Sequence, residues 1–134
     1  PFEMGNEFGG LGPDPAGGYT APDPSRKERA MGLHASVGAN TTIAIVATDA
    51  PLTKTQCHRL AVNAHDGMAR AIVPSHTPLD GDLVFGVSTG TGAPIDHAAY
   101  APICSAAATC LSRAIARAIY EATPAPADLI ATYR

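Results

Sequence analysis

The chain contains 134 residues and carries a formal net charge of −3. Its length is that of one ordinary domain. Only nine lysines and arginines are present, and their single cluster, at 26–29, does not form the basic surface that nucleic acid or an acidic membrane requires. The most apolar run, 103–119, is too short for a bilayer span and contains Arg113 and Arg117. A nucleic-acid-binding module and a membrane protein are therefore excluded from the expected classes.

Residues 1–40 differ in composition from the rest of the chain. They are rich in glycine and proline and poor in aliphatic side chains, which predicts an irregular, flexible arm. The sequence that can form a core therefore lies in the second segment, 41–134. Because the chain opens at Pro1, and because fewer than about 100 residues remain to build a core, we expect a partner segment upstream.

The first predicted strand covers 42–48, a run rich in β-branched residues, and it directly follows Asn40 and Thr41. A threonine hydroxyl is a weak nucleophile, but a threonine that begins a chain can use its own α-amine as general base. Cleavage between Asn40 and Thr41 would produce such a residue. The alternative from spacing alone is that these residues are only the polar start of a strand.

A helix is predicted after the turn segment TDAPLTKTQ, 48–56. Thr53 and Gln56 have the spacing of a capping box, and Pro74 marks the end. The sequence His65-Asp66-Gly67 suggests a kink, with His65 hydrogen-bonded locally, while His76 is expected in a solvated loop. The apolar positions recur at helical spacing at Cys57, Leu60, Ala61, Ala64, Met68, Ala71 and Ile72.

The loop Asp80-Gly81-Asp82 leads into a second predicted strand, 83–89. Side chains two residues apart can point the same way, which would place two carboxylates beside one strand start, where their pKa values would separate. The alternative is an ordinary exposed turn, since Asp and Gly are common turn residues. A long helix dense in small side chains is predicted at about 96–122.

The predicted order, strand, helix, strand, helix, indicates an α/β fold. Its helices can cover one face of the sheet, so the other face needs an upstream segment or another chain. We therefore expect one part of a layered α/β sandwich.

Cysteine and histidine chemistry contributes little to these expectations. Cys57, Cys104 and Cys110 are predicted to be small core residues of a reduced, cytoplasmic protein. His58 and His65 share a helix face, but a metal site needs three or four converging ligands. We expect neither a metal nor a cofactor.

Three stretches carry a resemblance to a known family: NTTIAIVATDAPLTKTQCHRLAVNAHDGMARAI, HTPLDGDLVFGVSTG and, in the arm, EMGNEFGGL. Over about 3–122 the chain resembles the C-terminal part of the self-cleaving aminopeptidase/D-esterase family, which includes β-aminopeptidases and nylon-oligomer (6-aminohexanoate-oligomer) endo-hydrolases. The resemblance implies an αββα layered sandwich, similar to N-terminal-nucleophile hydrolases. It also implies self-cleavage into an α part and a β part, and oligomers of αβ units.

The resemblance also implies a set of site residues. Asn40 would end the α part, and Thr41 would begin the β part as the nucleophile. Asp80 and Asp82 would orient the Thr41 amine and hydroxyl. The nylon-oligomer hydrolases carry this acidic pair and an Asn-Thr cleavage site, whereas aminopeptidase members tend to carry Ser and Glu at the acidic positions. The family's oxyanion-binding Asn, and its Lys or Tyr, are expected upstream of Pro1.

The sequence thus predicts an autoprocessed amide hydrolase that forms an acyl-enzyme ester on Thr41, with 6-aminohexanoate oligomers as first choice of substrate. One alternative is an aminopeptidase acting on small peptides or β-amino acid amides. Another is a non-catalytic, uncleaved scaffold. The expected partners are the upstream α part, further αβ units and a small amide or oligoamide substrate.

Overall fold

The computed structural model describes residues 41–78 and 80–126. Their elements are β1 (Ile43–Thr48), α1 (Lys54–Ala71), β2 (Leu83–Ser88) and α2 (His97–Glu121). The predicted order of elements is confirmed, and this part of the chain has an α/β fold. The predicted arm, 1–40, lies outside the described residues, and so does the segment 127–134.

The two strands lie side by side in a parallel pair, with Ile43 opposite Leu83 and Thr48 opposite Ser88. Parallel strands need a crossover connection, which α1 provides. Because the pairing is in register, the residues that precede the two strands meet at one end of the sheet. Thr41 and Gly81 therefore become neighbours although they are distant in sequence.

Both helices begin at a side-chain cap. The Thr53 hydroxyl accepts the backbone N–H of Gln56 at 3.2 Å, and the Gln56 side chain accepts the backbone N–H of Thr53 at 2.8 Å. The predicted capping box is thereby confirmed. The carboxylate of Asp96 accepts the backbone N–H of Ala99 at 2.9 Å and starts α2. These bonds satisfy backbone donors that a helix start would otherwise leave without partners.

The core lies between the helices and one face of the sheet. The helices approach closely at Gly67, where a Cβ would overlap the carbonyl group of Ala108. The helix α1 runs without interruption past Gly67 to Ala71. A bend of its axis at His65-Asp66-Gly67 stays a prediction. The buried core side chains are Val46, Leu60, Ala61, Ala64, Met68, Val84, Tyr100, Cys104, Ala107 and Leu111.

The opposite face of the sheet is apolar and exposed within the described part of the chain. Ile43 is 68% exposed, Ile45 66% and Phe85 49%. The strands are therefore apolar on both faces, as their sequences predict, but only the face toward the helices is buried by the described residues. That another segment covers the second face stays a prediction.

Candidate active site

Thr41 lies just before β1, beside the loop that leads into β2. A Cβ built on Gly81 would be only 2.6 Å from the Thr41 hydroxyl oxygen, so this hydroxyl occupies the space that a side chain at position 81 would need. The backbone pairing of the two strands extends to this site, because the N–H of Leu83, the first residue of β2, donates to the carbonyl oxygen of Thr42 at 2.9 Å. Thr41 itself is exposed. The structure thus places the predicted nucleophile against the middle of the Asp-Gly-Asp loop.

Asp82 holds the backbone on both sides of this site. Its Oδ1 accepts the backbone N–H of Thr42 at 3.0 Å, and its Oδ2 accepts the backbone N–H of His76 at 3.0 Å. The Nδ1 of the His76 ring also lies 3.0 Å from Oδ2. The Asp82 side chain is only 6% exposed. Asp82 is therefore a buried carboxylate that fixes the residue next to Thr41, rather than part of an exposed turn.

Asp80 shapes the loop in front of the site. Its Oδ2 accepts the backbone N–H of Thr77 at 2.8 Å, and its own N–H donates to the carbonyl oxygen of Thr77 at 2.9 Å. These two bonds close a turn. Asp80 and Asp82 are the chain neighbours of Gly81, the residue that the Thr41 hydroxyl approaches. Of the two carboxylates, that of Asp82 bonds to the residue next to Thr41, whereas that of Asp80 bonds to Thr77.

Two histidines for which the sequence predicts no role in the site lie behind Asp82. The Nε2 of His76 is 3.2 Å from the Nδ1 of His65 on α1, and the rings meet edge to face with centroids 4.7 Å apart. His65 therefore bonds to a residue eleven positions away, so the prediction of a local bond is wrong. His76 lies in a loop, as predicted, but both of its ring nitrogens have partners. The contact could not be predicted from sequence spacing, because helical periodicity does not extend from α1 into the following loop.

The electrostatic effect of the pair is visible at His65. Partial burial, and next the neighbouring His76, lower the pKa of His65 below its ordinary value of 6.5. The negative charges of Asp82 and Asp66 raise the pKa of His65, but by less than burial and His76 lower it. The neutral form of His65 is therefore favoured beside His76.

The three cysteines are free thiols and differ in burial. Cys104 is buried and Cys57 is partly buried, but Cys110 is exposed, so the prediction that all three are core residues is wrong for Cys110. The helix turns its neighbours Ala107 and Leu111 toward the core instead. Within 41–78 and 80–126, no group of three His, Cys, Asp or Glu side chains is arranged to hold a metal ion. Neither helix of this part is long and apolar enough to cross a bilayer.

Comparison with known proteins places the chain among peptidases. The model of peptidase family S58 matches residues 14–128. An uncharacterized aminopeptidase of Mycobacterium bovis is 44% identical over 106 residues, which cover 71% of this chain and 30% of the relative. An uncharacterized aminopeptidase of Mycobacterium leprae is 59% identical over 51 residues, 38% of this chain and 14% of the relative.

A second kind of relative is a 6-aminohexanoate-oligomer endohydrolase of Kocuria sp. (strain KY2). It is 38% identical over 50 residues, 37% of this chain and 14% of the relative. The chain spans no more than 30% of the length of any of these curated relatives.

The family match includes Thr41, both aspartates and all four elements of the described fold. It confirms the resemblance drawn from the sequence, since the relatives include both an aminopeptidase and an oligomer endohydrolase. The chain belongs to peptidase family S58.

Proposed function

We propose that this protein is an autoprocessed amide hydrolase in which Thr41 is the nucleophile. The observation that carries the proposal is the close approach of the Thr41 hydroxyl to Gly81, beside Asp82, whose carboxylate accepts the N–H of the next residue, Thr42. Membership of a peptidase family supports hydrolysis of an amide bond. The names of the relatives support the same reaction class.

In the proposed self-cleavage, the Thr41 oxygen attacks the carbonyl carbon of Asn40 and its hydroxyl proton passes to a base. The bond from that carbon to the Thr41 nitrogen then breaks, and the nitrogen takes up a proton. This leaves Asn40 as an ester on the Thr41 oxygen. Water hydrolyses the ester, which gives Asn40 a carboxylate and returns the hydroxyl to Thr41. The products are two chains, the second of which begins at Thr41.

The new α-amine can then act as the general base for further turnover. Its ordinary pKa, about 7.7–8.0, suits it to take the hydroxyl proton near neutral pH. When it does so it becomes an ammonium group, which a nearby carboxylate stabilises. Asp82 suits this role because it already binds the N–H of Thr42, the next residue along. The acyl half of the substrate would be held as an ester on Thr41 until water releases it.

Two substrate classes fit this chemistry. Oligomers of 6-aminohexanoate are our first choice, because the Asn40-Thr41 junction and the Asp-Gly-Asp loop resemble the oligomer hydrolases. Small peptides are the second choice, because the longer similarity is to proteins named aminopeptidases. An oligomer whose amine is acetylated separates the two. An endo-acting enzyme cuts inside the blocked oligomer, whereas an aminopeptidase requires the free amine.

The exposed sheet face supports an αββα arrangement in the complete protein. Burying a side chain such as Ile45 or Phe85 contributes about 1.5–3 kcal/mol. In the described part, Ile45 is 66% exposed and Phe85 49%. A second sheet from the upstream part, with its own helices, would cover this face. Assembly of αβ units into oligomers belongs to the same proposal.

The test is intact mass and N-terminal sequencing of the full-length protein, meaning the whole gene product that contains this chain. We expect a new chain that begins Thr-Thr-Ile-Ala. Thr41→Ala should abolish both cleavage and hydrolysis, while Thr55→Ala, the same change at an exposed position of α1, should affect neither. Cleavage or turnover that survives in Thr41→Ala would overturn the proposal. An uncut wild-type chain without hydrolase activity would instead favour the scaffold alternative.

A further inference from the structure

The hydrogen-bond chain behind Asp82 runs in one direction. An ionised carboxylate only accepts hydrogen bonds, so the Nδ1 of His76, 3.0 Å from Asp82 Oδ2, must carry a hydrogen. In the neutral ring the Nε2 of His76 then has none and accepts one. The group facing it, Nδ1 of His65 at 3.2 Å, is therefore the donor. Hydrogen bonds thus lead from His65 through His76 to Asp82.

His76 is held for this contact by its backbone as well. Its φ is 56°, in the left-handed region that non-glycine residues adopt at a cost, although His is among those that tolerate it better. In this conformation the backbone N–H and the ring Nδ1 both reach the same carboxylate oxygen. His76 therefore supplies two N–H groups to Asp82, and Thr42 supplies another.

The histidine pair can take up one proton without losing the hydrogen bond between its rings. If one ring is protonated, a single hydrogen still lies between Nδ1 of His65 and Nε2 of His76. If both are protonated, two N–H groups face each other at 3.2 Å, which is unfavourable. Within 41–78 and 80–126, the carboxylates that act on the pair are Asp66, next to His65 on α1, and Asp82 at the start of β2.

We propose that His76, supported by His65, is a positioning residue that fixes the Asp82 carboxylate beside Thr41, and that uptake of one proton by this histidine pair slows cleavage before Thr41. The inference rests on the proposed function. An imidazolium 3.0 Å from the carboxylate offsets its negative charge. Asp82 then assists proton movements at Thr41 less effectively, so the cleavage rate falls as the pH decreases through the range in which the pair becomes charged.

Self-cleavage gives a clear readout of this effect. Before cleavage the Thr41 nitrogen is part of a peptide bond, so no α-amine is present at the site to produce an acid limb of its own. The full-length protein is refolded from urea into buffers from pH 5 to pH 8.5, and the fraction cut before Thr41 is followed by intact mass. The variants are His76→Ala, His76→Asn and His65→Asn. His58→Asn makes the same change at an exposed position of α1 and serves as the control.

We expect the wild-type rate to fall about tenfold from neutral to mildly acidic pH, within the range of general acid–base effects. Asparagine tolerates the left-handed backbone and has an amide N–H in place of Nδ1–H, but it takes up no proton. His76→Asn should therefore keep the neutral rate within about threefold and lose most of the acid limb. His76→Ala should be slower throughout, by about tenfold, since the ring donor is gone. His58→Asn should behave as wild type.

Cleavage by both His76 variants at the wild-type rate, with the wild-type pH profile, would overturn the inference while leaving Thr41 as the nucleophile. If the wild-type chain does not cut at any pH, the proposed function fails instead. In that case histidine NMR titration of the uncut protein decides whether the pair exists. One shared proton taken up between His65 and His76 supports the coupled pair, and two independent protonations at ordinary pKa values contradict it. The same titration covers the case in which His76→Ala fails to fold.

Discussion

Gly81 and Thr41 approach so closely that position 81 has no space for a side chain. A Cβ on Gly81 would lie 2.6 Å from the Thr41 hydroxyl oxygen and 3.5 Å from its methyl carbon. The in-register parallel pairing of β1 and β2 produces this contact, because it aligns the two segments that precede the strands. The glycine is required by the position of the hydroxyl, and its effect should therefore be seen in the chemistry of Thr41.

Gly81→Ala should slow self-cleavage by about 100-fold, because a displacement of about 1 Å at a reacting group has an effect of this size. The melting temperature should change little, since Thr41 is exposed and can move away from the new methyl group. Cleavage is measured by intact mass and stability by circular dichroism. An alanine variant that cuts at the wild-type rate would mean that the Thr41 hydroxyl does not react from the position seen here.

Asp82→Asn should slow cleavage by about 100-fold, because it removes the negative charge while keeping the shape of the side chain. It should also lower the free energy of unfolding by about 1–3 kcal/mol, since the N–H of His76 loses its charged acceptor. This differs from the expectation for an exposed loop carboxylate, which would contribute little to stability. Chemical denaturation and cleavage rates measure the two effects.

The control for Asp82→Asn is Asp49→Asn, the same change at an exposed residue after β1. It should alter neither quantity. If Asp82→Asn retains both the wild-type cleavage rate and the wild-type stability, the carboxylate has no part in the site.

Local features of this protein could be predicted from its sequence, whereas one contact between distant segments could not. The strands, both helices and the capping box follow from local patterns, and the elements are confirmed. The proximity of Thr41 to the Asp-Gly-Asp loop follows once the two strands are taken as parallel neighbours. The contact between His65 and His76 could not be predicted in this way. It depends on the path of the loop after α1, which Asp82 fixes from a third segment by accepting the His76 N–H.

The exposed position of Cys110 has a similar explanation. An Ala-rich helix gives a weak amphipathic signal, because small side chains occur on every face. The sequence therefore did not distinguish the buried stripe of α2, which contains Ala107 and Leu111, from its exposed neighbours. Packing against α1 makes that distinction, and it requires knowledge of which residues of the two helices meet.

Gly67→Ala should destabilise the fold without a specific effect on the site. The new methyl group would overlap the backbone carbonyl of Ala108, which cannot rotate away as a flexible side chain could, so the helices must separate. Such overpacking costs about 1–3 kcal/mol. Thermal unfolding of the full-length protein in the Thr41→Ala background measures this loss without interference from cleavage.

Comparing Gly67→Ala with Gly81→Ala distinguishes an effect on the melting temperature from an effect on the rate of self-cleavage. Below its melting temperature, Gly67→Ala should still cleave near the wild-type rate when Thr41 is present. An unchanged melting temperature would contradict the close helix contact at Gly67.

Stability should decrease in mildly acidic solution partly because of His65. Partial burial and His76 lower its pKa in the folded protein below the ordinary value of 6.5, so between these two pKa values the unfolded chain binds a proton that the folded chain does not. The contribution of His65 to stability is therefore complete above about pH 6.5 and is lost as the pH falls toward the lowered pKa. In the Thr41→Ala background, His65→Asn should reduce the drop in melting temperature between pH 7.5 and pH 5.5, because asparagine does not titrate.

His58→Asn should leave that drop unchanged. If the two variants show the same drop as their parent, the folded environment of His65 does not disfavour its charged form.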